Sequence, residues 1–151
     1  MQYDLHNNIA ADQAVAPQTI SGSALVSGDM DLAGAKAVKI LTTFGDIAEM
    51  GASPEGAAQV AISLEHADDD GTGSAGTYAD VTANDVVGED VAGTVTNGIV
   101  NTVTGDLTHS SFGYVGMKRF VRVTLTPTGL STGGPVSCSV LKGMTTNKPA
   151  T

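Results

Sequence analysis

Two stretches of the chain alternate apolar and polar residues with a period of two. In Ala37-Val38-Lys39-Ile40-Leu41-Thr42-Thr43-Phe44, one side carries Val38, Ile40, Thr42 and Phe44 and the other Lys39, Leu41 and Thr43. In Gln59 to His66, Val60, Ile62 and Leu64 oppose Ala61, Ser63 and Glu65. Successive side chains of an extended strand point to opposite faces, so this period predicts two strands. Further short β-like runs fall at Thr19 to Val26, Tyr78 to Val81, Gly93 to Thr104, 112–126 and Pro135 to Leu141. The run 112–126, centred on Arg119-Phe120-Val121-Arg122-Val123-Thr124-Leu125, is the strongest of them. Gly, Asp and Pro punctuate the intervals. No stretch supports a helix; a short turn at Pro54–Ala58 is weakened by its glycine. Seven or eight short strands with frequent turns predict an all-β, single-domain sandwich or jelly-roll-like barrel.

The ends of the chain lack this pattern. Residues 1–18 show no sustained period and are expected to form an extended N-terminal arm, followed by a β domain over 19–143. A polar C-terminal tail is expected over 144–151. The arm carries Tyr3, Leu5, Ile9 and Val15 as scattered apolar anchors. Such anchors are of use where they settle into a neighbouring subunit.

Composition narrows the function. A chain of 151 residues can bury a core without disulfides or metal. Its net charge is −9, and no Lys or Arg stands between Lys39 and Lys118. Nucleic-acid binding depends on cations that neutralise phosphates, so no nucleic-acid partner is expected. The acidic stretch itself suits solvation. No apolar run approaches the roughly 20 residues of a membrane helix, and the N-terminus lacks a basic-then-apolar signal, so no membrane partner and a cytoplasmic start are expected. Aromatic residues make up 4 % with no Trp, which disfavours ligand sites built on aromatic platforms. Cys138, the single cysteine, lies in Val136-Ser137-Cys138-Ser139-Val140 and reads as a small buried hydrophobe.

No catalytic set emerges, and neither a cofactor nor a metal is expected. Asp68-Asp69-Asp70-Gly71-Thr72-Gly73 has the start of a calcium loop, but the acid required six residues after Gly73 is replaced by Ala79. Asp and Gly are ordinary turn residues, so a solvated hairpin loop is the simpler reading. His6, His66 and His109 match no metal spacing; His66 is placed to cap the core edge. Ser110 and Ser111 beside His109 lack a nucleophile elbow. Gly71, Gly73 and Gly76 lack the GK[ST] of a phosphate loop. Lys118, Arg119 and Arg122 form the one basic cluster. They either lie along a sheet surface paired with carboxylates or make a subunit contact, where Arg is enriched.

Three segments carry a resemblance. They are Ile62-Ser63-Leu64-Glu65-His66-Ala67-Asp68-Asp69 leading to Tyr78-Ala79-Asp80-Val81, then Gly113-Tyr114-Val115-Gly116-Met117-Lys118-Arg119-Phe120-Val121-Arg122-Val123, and the ending Leu141-Lys142-Gly143 through Asn147-Lys148-Pro149-Ala150. Over residues 60–150 the chain resembles small proteins encoded in the head-gene region of tailed bacteriophages and prophages. Their pattern is an E-x-S-D-D-like loop, Y-x-G-x-K-R-Y-V-R-V and a short basic Lys-Pro tail. Here His66-Ala67 replaces a small polar residue, and the loop is longer. The resemblance implies a decoration or cement protein on the capsid surface of the virion. Its implied partners are the major capsid protein and further copies of itself, as a homotrimer. A neck, connector or tail-tube component forming rings is the alternative. A carbohydrate- or ligand-binding β module is a third reading, and an enzyme the last.

Overall fold

A computed structural model describes residues 8–51 and 57–143. Among them are eleven strands and no helix: β1 (Ile9–Ile20), β2 (Leu25–Val26), β3 (Met30–Asp31), β4 (Ala37–Phe44), β5 (Gln59–Ala67), β6 (Ala79–Asp80), β7 (Val86–Val87), β8 (Ile99–Val103), β9 (His109–Tyr114), β10 (Phe120–Thr128) and β11 (Gly134–Gly143). All pair antiparallel. The first sheet runs β1-β11-β4-β9-β7. The second is centred on β10 and β5, with β2 and β3 along the free edge of β10 and β6 and β8 along that of β5. The two sheets pack as a sandwich and not as a closed barrel.

The core is the inward parity of the long strands. From β4 come Ile40 and Phe44, from β5 Val60, Ile62 and Leu64, from β10 Val121, Val123 and Leu125, and from β11 Val136 and Val140. Each such side chain contributes about 1.5–3 kcal/mol on burial. Thr42 and Cys138 face each other across β4 and β11 in this layer, and the Thr42 hydroxyl donates to the Cys138 sulfur at 3.4 Å. Cys138 is thus buried, and that burial pushes its thiol up.

Three expectations need correction. Residues 9–18, expected within an arm, belong to the twelve-residue edge strand β1, which pairs with β11 from Ile9↔Gly143 to Ile20↔Gly134. The register shifts between Gln13 and Val15 and again before Gln18. These bulges move the buried residues to positions 10, 15 and 20, so the period of two disappears while the strand persists. Pro17 is tolerated because β1 lies at an edge. Second, the run 112–126 is not one strand. It passes from β9 in the first sheet to β10 in the second through Val115–Arg119. Third, the run Thr19 to Val26 is divided between the end of β1 and the separate strand β2. The turn at Pro54–Ala58 and the tail 144–151 fall wholly or largely outside the described residues.

Candidate interaction surface

The strand register places Arg122 of β10 directly opposite Glu65 of β5 on the outer face of the second sheet. Arg122 Nε and Nη2 donate to Glu65 Oε2 at 3.0 and 2.9 Å. The Tyr78 ring lies 4.1 Å from the guanidinium, and its hydroxyl donates to Asp29 at 2.8 Å. Burial first, and then this carboxylate, push the Tyr78 phenol up. Arg119 grips Asp31 with two parallel bonds, Nε to Oδ1 at 2.9 Å and Nη2 to Oδ2 at 2.7 Å. It also pairs with Asp69, while Lys118 pairs with Asp68 and Lys142 with Asp12. The Arg119 fork holds the Asp31 carboxyl below its usual range.

In the Asp68–Asp70 loop, Asp69 and Asp70 each turn one carboxylate oxygen back onto their own turn. Asp69 Oδ1 accepts the amides of Gly71 (2.7 Å) and Gly73 (3.0 Å), and Asp70 Oδ1 accepts from Thr72 N and Oγ1, both at 2.7 Å. Gly76 donates its amide to the Asp68 carbonyl at 2.8 Å and Asp70 its amide to the Ser74 carbonyl at 2.9 Å, which closes a hairpin. The amides of Gly73 and Gly71 lower the Asp69 carboxyl, and Thr72 lowers that of Asp70. Among the described residues no group of three or more His, Cys, Asp or Glu is placed to hold a metal ion.

A groove of about 650 Å³ opens where β9 leaves the first sheet. Its walls are the turn after β3 (Leu32, Ala33, Ala35, Lys36), the start of β4 (Ala37, Val38), Val87 of β7, and the crossing from Gly113 to Arg119. Tyr114 fixes that crossing. Its hydroxyl accepts the Lys118 amide at 3.2 Å and meets His66 Nδ1 of the opposite sheet at 3.1 Å. The Val115 and Gly116 amides both donate to the Asp85 carbonyl, at 2.8 and 3.2 Å. A Cβ on Gly116 would stand 2.5 Å from the Tyr114 hydroxyl oxygen, so only glycine lets the ring fold back beneath the chain. The pinned crossing turns Val115 and Met117 outward, at 53 and 99 % exposure, and Val87 of β7 is exposed beside them at 52 %. Exposed apolar side chains thus gather at the lip of the groove. Lys36, Lys118 and Arg119 line the groove and no Asp or Glu does, in a chain of net charge −9.

Among the described residues, the expected contact residues Ile9 and Val15 lie on β1 of the first sheet, while Arg122 lies on β10 of the second and Lys118 and Arg119 on the crossing that leads to it. Tyr3 and Leu5 lie outside the described residues. Ile9 is 39 % exposed at the start of β1, whereas Val15 is 3 % exposed and belongs to the core, so it cannot anchor a neighbour. Lys118, Arg119 and Arg122 are already paired within the chain, and only Lys118 and Arg119 reach the groove. The groove itself escaped the sequence because its lining comes from three separate segments; apolar Val115 and Met117 beside Gly116 were the one local sign.

No family model matches the chain, and no curated protein matches it. Among solved structures it is similar to a chain of Bacillus endospore appendages, described as a novel family of disulfide-linked pili. The identity is 12 %, 96 % of this chain and 98 % of that chain are covered, and the TM-score is 0.38. Among the described residues no helix is long and apolar enough to cross a membrane.

Proposed function

We propose that the chain is a non-enzymatic structural protein of a tailed-phage virion, which decorates the capsid shell and cements it through protein–protein contacts. Its partners are the major capsid protein and copies of itself, assembled as a trimer on the outer surface. The observation that carries the interaction role is the apolar groove with Val87, Val115 and Met117 at its lip. Apolar surface of this kind gains free energy when another protein covers it. A cement protein also needs a body that does not yield, and the paired charges across β10, β5 and the Asp68–Asp70 hairpin brace one face of the sandwich. The phage assignment is supported by the likeness of residues 60–150 to head-region proteins. Repeated sites on a shell add avidity to a trimer.

The experiment is to mix the protein with undecorated shells, sediment them and image the complexes. Density at local three-fold positions of the shell is the expected result. Density confined to the neck or tail would assign the protein to rings instead. No attachment to any virion part, together with groove-dependent binding on a glycan array, would replace the reading with a carbohydrate-binding module.

A further inference from the structure

We infer that the outer face of the first sheet is where a second copy of this chain packs, sheet against sheet. The inference goes beyond the cement role and does not depend on it. On β11, β4 and β9 the odd-numbered residues point away from the core, and the register sets them in rows. Leu141 stands beside Lys39 in one row, and Leu41 stands between Ser139 and Ser111 in the next. Both leucines are half-buried, and Ile9 and Val87 are exposed at the two sides of the same face. The remaining outward positions are mostly Ala, Gly, Ser and Thr, so the face is broad and low.

Charge decides what can cover it. The chain carries a net charge of −9, with 16 Asp and Glu. The five strands hold one of these, Asp12, which shares its parity with buried Ala10 and pairs with Lys142. No outward position of the five strands is Asp or Glu, and Lys39 is the one Lys or Arg among them. The second sheet differs, because Arg122, Glu65 and Asp80 run across its outer face. Copies of an acidic chain repel at any contact that brings their carboxylates together. The outer face of the first sheet lets two copies meet without doing so. It is too poor in cations to hold a strongly acidic partner and offers no carboxylate to a basic one.

Shape agrees with charge. Two sheets of like twist pack about 10 Å apart with their strands nearly aligned, and a second copy presents the same twist. Five strands wide and 8 residues long at β4, the face has a footprint of roughly 500–600 Å². A pair then buries about 1,000–1,200 Å², enough for a specific contact at the weak end of the range. The contact is isologous, so it makes pairs and joins one assembled copy to the next rather than closing a ring.

The test is sedimentation equilibrium of the full chain, with single substitutions at exposed positions where folding is least at risk. The chain should associate, and salt up to about 0.3 M should tighten the association by screening the net charge. Ala11→Glu and Thr43→Glu each put a carboxylate on the face and should each raise the dissociation constant about tenfold or more, with melting unchanged. Thr126→Glu adds the same charge to the outer face of the second sheet and should leave association nearly unchanged. In the associated protein the methyl groups of Leu41 and Leu141 should be shielded from a soluble paramagnetic probe, while those of Val26 on the second sheet stay open to it. A chain that remains monomeric at about 1 mM would overturn the inference. So would association indifferent to Ala11→Glu and Thr43→Glu, or weakened equally by Thr126→Glu. Association loosened by salt would replace it with an acidic surface docked on Lys39. A chain that stays monomeric yet attaches to shells would remove this contact and leave the shell role standing.

Discussion

His66 Nδ1 of β5 and the Tyr114 hydroxyl of β9 meet at 3.1 Å, a side-chain hydrogen bond between the two sheets, with the rings edge-on at 79°. The Lys118 amide donates to the same hydroxyl, so one oxygen joins both sheets and the crossing between them. Tyr114→Phe removes that oxygen while keeping the buried ring. The expected loss is about 1–2 kcal/mol of stability, read from denaturant unfolding, because a partly buried imidazole nitrogen and a backbone amide lose their partner. Faster hydrogen exchange at Gly116–Lys118 should accompany it. An unchanged midpoint with unchanged exchange would show that the hydroxyl does not hold the crossing.

Gly133 marks a second fixed point. Its φ is +70°, and a Cβ there would stand 1.7 Å from the Ile20 carbonyl oxygen, which is backbone and cannot swing aside. Gly133→Ala should cost more than about 2 kcal/mol or prevent folding. Gly93→Ala, with no atom within 4 Å of the added carbon, should melt within a degree or two of the parent.

Acid should loosen the molecule in a defined window. Glu49 accepts the amides of Thr132 (2.6 Å), Ser131 (3.0 Å) and Gly133 (3.1 Å) and the Ser131 hydroxyl (3.0 Å), and its carboxyl falls from 4.5 to about 2. Asp31 and Asp69 are lowered in the same direction. A carboxyl whose folded value lies below its unfolded value stabilises the fold above the unfolded value, and that contribution is lost as pH falls through the folded one. Melting temperature should therefore be flat from neutrality to about pH 5 and decline from about 4.5 towards 2. Glu49→Gln should lower the plateau and flatten part of the decline. A melting curve independent of pH down to 2.5 would contradict the carboxylate account.

The loop carboxylates of Asp69 and Asp70 already accept their own turn's amides, so a chelator should leave the melting temperature unchanged. A fall of several degrees restored by Ca²⁺ would show a site the geometry does not reveal. Native protein should likewise resist a thiol reagent at Cys138 until it unfolds, because the sulfur lies in the core beside Thr42.

The sequence made the centre of each sheet legible and left the edges obscure. β4 alternates without interruption between the regular partners β11 and β9, and β5 does so along its regular pairing with β10; the predicted bounds of both agree with the fold to within a residue. β1 was unreadable because its two bulges place Ala10, Val15 and Ile20 five apart, a spacing that matches neither strand nor helix. The break at Val115–Arg119 was hidden by continuous β-forming residues on both sides; what ends the strand is the Tyr114 hydroxyl and the Asp85 carbonyl, which come from the fold and not from the segment. The strands β3 and β7 are two residues long and give no periodic signal at all.

The pairing of β1 with β11 has a consequence for how the chain is made. Among the described strands β1 leaves the ribosome first and β11 last, yet β11 is the sole sheet neighbour of β1 and also lies between it and β4. Until about residue 143 has emerged, β1 has no partner and one edge of β4 stays uncovered. Pairings that span so much of the sequence form slowly, and an uncovered strand edge recruits whatever extended chain is nearby. On a polysome making many copies side by side, the nearest such chain is another nascent copy. The ten residues of β11 therefore set a deadline: each copy must complete its own first sheet before its neighbour completes it instead.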